Sequence, residues 1–151
     1  HVLLAEPATS MAMRKTGSFP VSLIAPELHR SLNLQSEWGR VFGGEAKIPQ
    51  AGLVVVGQID DALIARFNEA YAKALEWYQT HPKEAGILVE KHIKMFQAIA
   101  VEDSIAHTQF EAKSAQESKE ALESFFKILL EIEPKLLGGA LPDEQFYYKG
   151  K

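Results

Sequence analysis

The apolar positions of this chain change their spacing part-way along it. Up to about Gly52 they come in short runs broken by Pro7, Gly17, Pro20, Pro26, Gly39, Gly43, Gly44, Pro49 and Gly52, the punctuation expected of strands, turns and short helices. "IPQAGLVVVG", Ile48 to Gly57, holds a β-branched apolar run of about strand length and predicts a buried strand. Beyond it the period becomes helical. Asp60 and Asp61 offer an N-cap, and Ile64, Phe67, Tyr71, Leu75 and Tyr78 recur at intervals of three and four, which places them on one helix face. Glu69 and Lys73 add an ion pair one turn apart. "THPKEAGILVEKH" predicts the next helix: Thr80 or His81 caps it, Pro82 suits the first turn because its missing N–H costs nothing there, and Glu84 lies at the positive end of the helix dipole. A third helix is predicted over about Glu117 to Glu133, with Leu122, Phe125, Phe126, Leu129 and Leu130 on one side and Pro134 and Gly138-Gly139 ending it.

Composition narrows the class. The 151 residues, 46% hydrophobic and 24% charged, suffice for one sizeable core, in one domain or two small lobes. A net charge of -4 without any Lys/Arg cluster argues against a nucleic-acid or anionic-membrane partner. No apolar run approaches the roughly 20 residues that cross a bilayer, so a soluble chain is expected. The absence of cysteine removes disulfides, thiolate metal sites and cysteine nucleophiles together. His1, His29, His81, His92 and His107 never stand three or four apart, so no helical metal pair exists, and neither a metal nor a cofactor is expected. There is no G-x-S-x-G elbow, Walker loop or G-x-G-x-x-G; Gly43-Gly44 reads as a plain turn, and no catalytic residue is assigned. Glu117, Glu120 and Glu123 read as a solvated helix face.

The stretch with the most chemistry is "VLLAEPATSMAM", Val2 to Met13. It predicts a strand ending in Glu6-Pro7, followed by Thr9-Ser10 at a helix start. That arrangement would project a carboxylate and free backbone N–H groups from the carboxyl edge of a sheet, where open α/β sheets bind ligands. Two readings stand side by side: Glu6 as a ligand contact, or Thr9 or Ser10 as a plain cap with Glu6 on the surface. Trp38, Trp77 and Tyr78 read as packing residues. "PDEQFYY" reads as a clamp that docks the C-terminus by burying Phe146 and one or both tyrosines.

Five segments, in order, resemble the NitT/TauT-type solute-binding proteins of ABC importers, a superfamily that includes thiamine-precursor binding proteins. "LLAEPATSMAM" resembles the family's Glu-Pro-Ala strand-to-helix segment, and "LNLQSEWGRVFG" its Leu-Gln-x-x-Trp segment. "IPQAGLVVV" resembles its Pro-Gln-Ala-Gly-Leu strand, "EWYQTHPKEAGILVEKH" its Asn-Pro-Glu-Glu-Ala helix pair, and "LLGGALPDEQFYY" its Gly-Gly-x-Leu-Pro-Asp-x-x-Phe-Tyr-Tyr tail. Phe19 to Arg30, with extra prolines, departs from the pattern.

The resemblance implies an α/β chain, part of a type II periplasmic-binding-protein fold of two α/β lobes joined by hinge strands, with a helix-rich C-terminal portion. Residues 1–50 would end the second lobe, and residues 51–151 would form a hinge strand and the helices returning to the first. Glu6, Pro7, Ala8, Thr9 and Ser10 would line the cleft, with Gln50 facing the ligand from the crossing strand. The implied partners are a small solute, nitrogenous, sulfonate-like or pyrimidine-like, and an ABC permease. Helix N-termini would favour an anion, and Glu6 a cation or hydrogen-bond donor. The implied location is periplasmic or extracytoplasmic. The alternatives are an enzyme of thiamine-pyrimidine or menaquinone-precursor synthesis and the ligand-sensing domain of a regulator. His1 stands where an initiator Met is expected, and the motifs match only the second half of such a protein. The chain therefore reads as a processed or excised piece that would pair with the remainder of its own protein or with a second copy.

Overall fold

The structure, a computed structural model, describes residues 2–150. Among them every regular element is helical: α1 (Ala8–Gly17), α2 (Leu34–Phe42), α3 (Asp61–Thr80), α4 (Pro82–His92), α5 (Ala98–Ile105) and α6 (Ala115–Ile132), with 3₁₀ turns at Val21–Leu23 and Pro134–Leu137. Three of the six α-helix starts have a side-chain cap. The Asn33 side chain accepts hydrogen bonds from the backbone N–H groups of Gln35 and Ser36, Asp60 accepts from Ala62, and Ser114 and Glu117 form a reciprocal capping box. Gly43, at φ +69°, ends α2 in the left-handed region that glycine favours.

The expected α/β architecture is overturned: there is no strand or sheet among the described residues, and so no hinge strand. Val2–Ala5 runs into α1 without pairing, and Ile48 to Gly57 is irregular chain on the surface. A β-branched run satisfies only one condition for a strand. Its backbone must also find a neighbouring strand to hydrogen-bond, and none is present here.

The chain divides into two compact units. The first comprises the chain up to Ser31 and Glu69–Ala112; the second comprises Leu32–Asn68 and the chain from Lys113 onward. In the first, α4 packs on α5, and α1 also contacts α5. Ala85, Gly86, Ala100 and Val101 are buried at the α4/α5 crossing. Tyr78 meets the Phe110 ring edge-on at 5.6 Å, and the Gln79 side-chain amide donates to the Phe110 carbonyl at 3.0 Å, which ties the stretch after α5 to α3. In the second unit Trp38 packs on Phe42 at 4.2 Å and on Phe125 of α6 at 5.5 Å, the packing role its sequence context suggests. The C-terminal segment lies on α6: Tyr147 is buried, Phe146 meets Phe126, and the Tyr148 hydroxyl donates to Asp61 at 3.1 Å. The apolar face of α3 is helical as its spacing predicts, yet Phe67 and Tyr71 on it stay 51% and 41% exposed. No described helix is long and apolar enough to cross a membrane.

Candidate functional site

The site begins with α1, whose first turn lacks an ordinary cap. Pro7 stands at the cap position and has no side-chain acceptor to offer. Glu6 supplies it. Its Oε2 accepts from the Ser10 backbone N–H at 3.1 Å and from the Ser10 hydroxyl at 2.8 Å. Its Oε1 accepts from Nε and Nη2 of Arg30 at 3.2 and 2.8 Å, and the same Nη2 donates to Ser10 Oγ at 2.8 Å. Ser10 is buried, and the Glu6 side chain is only 12% exposed. Burial pushes the Glu6 carboxyl up. The hydrogen bonds from Arg30 and Ser10 together outweigh that, and the group ends below its ordinary value.

A second carboxylate–guanidinium pair stands nearby. Arg14 of α1 donates through Nε and Nη2 to both oxygens of Asp103 on α5, at 2.5 and 2.8 Å. The Arg14 hydrogen bond is the main reason the Asp103 carboxyl lies below its ordinary value, with Arg30 and His107 adding to it through their charge. Both guanidiniums line one open cleft of about 1130 Å³, together with Ser10, Met13, Glu102, Asp103 and His107. Among the described residues, the Nη1 groups of Arg14 and Arg30 have no hydrogen-bond acceptor, and Glu102 makes no hydrogen bond but acts on Arg14 through its charge. The cleft therefore offers free N–H donors and a carboxylate that makes no hydrogen bond, beside Arg14.

Of the residues singled out from sequence, Glu6 and Ser10 come together in this network and Ser10 reaches the cleft wall. Pro7, Ala8 and Thr9 form the turn that carries them; the Thr9 hydroxyl is used locally, donating to the Leu4 carbonyl at 3.1 Å. Gln50 lies exposed in the second unit and is no part of this cleft. Arg30, Arg14, Glu102, Asp103 and His107 were not legible as site residues. Arg30 sits 24 residues from its carboxylate and Asp103 sits 89 from its guanidinium, beyond the reach of any local pattern. Among the described residues no cluster of three His, Asp or Glu side chains is placed to hold a metal.

The network makes a pH prediction. A carboxyl whose folded value is depressed adds stability above its unfolded value and loses it as pH falls through the folded one. The Glu6 contribution is therefore complete above its ordinary value of 4.5 and is withdrawn progressively below it. Circular dichroism melts between pH 2.5 and 7 should show the parent losing more Tm below pH 4.5 than Glu6→Gln does. Parallel curves would mean that Glu6 is not held as an ion.

No protein-family model, curated protein or solved structure matches this chain.

Proposed function

We propose that the chain is a solute-binding component of an ABC importer, and that its cleft receives a small solute carrying both an anionic and an amino group, as an amino-sulfonate does. The observation that carries the reading is Arg30: Glu6 and Ser10 hold its Nε and Nη2, Nη1 makes no hydrogen bond among the described residues, and the residue lines the cleft. A charged donor fixed in advance loses little freedom on binding and suits an oxyanion. Glu102, in the same cleft, suits the amino group. The five-segment resemblance supports the importer role. Glu6 itself positions the guanidinium, since both its oxygens are already occupied. Ser10 Oγ both donates to Glu6 and accepts from Arg30, which favours a binding role over that of a nucleophile.

Calorimetric titration with taurine, ethanesulfonate, inorganic phosphate and an aminopyrimidine tests the reading. Taurine should bind most tightly. Arg30→Gln should weaken it about 10- to 150-fold, the equivalent of about 1.5–3 kcal/mol for a charged hydrogen bond. Glu102→Gln should narrow the preference for taurine over ethanesulfonate. Absence of saturable binding by any of the four at millimolar concentration, or equal affinities for parent and Arg30→Gln, would overturn it.

A further inference from the structure

Gln79 stands in the last turn of α3 and lines the same cleft as Arg30 and Glu102. Its Nε2 donates to the Phe110 carbonyl at 3.0 Å. A carbonyl can only accept, so the amide must present its nitrogen there, and that one bond fixes which way round the group lies. The consequence falls on the other atom. Oε1 is an acceptor that takes no hydrogen bond from any described residue. We infer that Gln79 Oε1 receives an N–H of the solute's cationic end, so that the cleft selects a primary ammonium over a quaternary one. The inference rests on the amino-sulfonate reading of the cleft.

Charge alone does not make this distinction. Glu102 and Asp103 line the cleft as carboxylates, and a carboxylate attracts a cation whether or not its nitrogen is methylated. Asp103 also has both oxygens on Arg14. A neutral amide oxygen is different: what it offers a cation is chiefly a hydrogen bond, which needs an N–H aligned on it. A primary ammonium has three such hydrogens, and a trimethylammonium has none. Ser10 Oγ, another neutral group of the cleft, already donates to Glu6 and accepts from Arg30. The Gln79 oxygen, held in advance by the Phe110 bond, loses little freedom when a solute arrives.

Calorimetric titration of the 151-residue chain with taurine, N,N,N-trimethyltaurine and ethanesulfonate tests the inference. The parent should bind taurine about 10- to 100-fold more tightly than the trimethyl form, within the range for a hydrogen bond to a charged group. In Gln79→Met that preference should fall to about 3-fold or less, with ethanesulfonate affinity unchanged. Should Gln79→Met weaken all three ligands alike because the tie to Phe110 is lost, Gln79→Lys decides. It can still donate to that carbonyl but offers no acceptor, and there too the preference for taurine over the trimethyl form should vanish. A preference that survives both substitutions would be steric exclusion of the methyl groups and would overturn the inference, as would equal binding of the two forms by the parent. Absence of binding by any of the three ligands would remove the amino-sulfonate reading with it. Taurine binding that depends on Arg30, with a preference indifferent to Gln79, would remove this inference alone.

Discussion

Replacing Tyr147 by alanine is expected to lower the stability of the second unit by about 3 kcal/mol, toward the low end of the cost of emptying a large aromatic site. Tyr147 is 1% exposed, while its neighbour Phe146 is 51% exposed, so the tyrosine is the buried anchor of the tail. Around it stand Phe146 edge-on at 5.1 Å, the Lys119 ammonium 5.3 Å from the ring centre, and the Gln116 side-chain amide donating to the Tyr147 carbonyl at 2.9 Å. Lys119 also pairs with Glu144. Deleting Pro142 to Lys151 removes these contacts and the Tyr148–Asp61 hydrogen bond together, and should cost at least as much. A finer test lies in the hydroxyl. It is buried without a hydrogen-bond partner among the described residues, so Tyr147→Phe removes an unsatisfied polar group and should be neutral or slightly stabilising. Urea midpoints for the three variants separate these effects. An unaltered midpoint on deletion would show that the tail is a loose end, and a large loss in Tyr147→Phe would show that the hydroxyl has a partner.

The helices were legible where periodicity and terminal chemistry agreed. Asp60 before the Ile64–Tyr78 stripe and Pro82 at the head of its own helix both mark real starts. The third long helix begins two residues earlier than its apolar stripe suggested, at Ala115, because Ser114 and Glu117 make a capping box. Glu117 had read as mere solvated surface. Helix α5 has no local signal in the sequence: it has eight residues and no side-chain cap, and it depends on packing against α4.

The expected sheet fails for a different reason. Alternation and β-branching describe a strand's side chains, while a sheet is a relation between backbones that may lie anywhere in sequence. The site shows the same division. Glu6 beside Ser10 was visible as a carboxylate at a helix start, and the two interact there. Glu6 as a direct ligand contact would leave the stability of the unliganded form nearly unchanged when removed. The observed cap and ion pair instead make it part of the fold, because Arg30 and the Ser10 N–H both depend on it. Arg30 lies in the proline-rich stretch that fitted no pattern, and only the folded chain brings it to Glu6.

Replacing Gly86 by alanine is expected to destabilise the first unit by about 2–3 kcal/mol, the scale of overpacking a close contact. The sign is what makes the result informative. In an exposed helix interior glycine is the weaker helix former by about 1 kcal/mol, so Gly→Ala ordinarily stabilises. Gly86 is buried in α4 where α5 crosses it, and a Cβ there would overlap the carbonyl oxygen of Ala98, a backbone atom that no side-chain rotation can move aside. Gly17, at the end of α1 with no atom beyond its own helix turn and chain neighbours within 4 Å of its would-be Cβ, is the control: Gly17→Ala should be neutral or stabilising. The effect should also reach the cleft. To admit the methyl group α5 must move off α4, and α5 carries Glu102 and Asp103, the latter gripped by Arg14 at 2.5 and 2.8 Å. A displacement of about 1 Å is enough to spoil hydrogen-bond geometry of that kind. Gly86→Ala should therefore weaken taurine binding as well as lower the urea midpoint, although the residue is no part of the cleft wall. A raised or unchanged midpoint in Gly86→Ala would mean that α4 and α5 do not cross at Gly86, and the placement of Asp103 opposite Arg14 would fall with it.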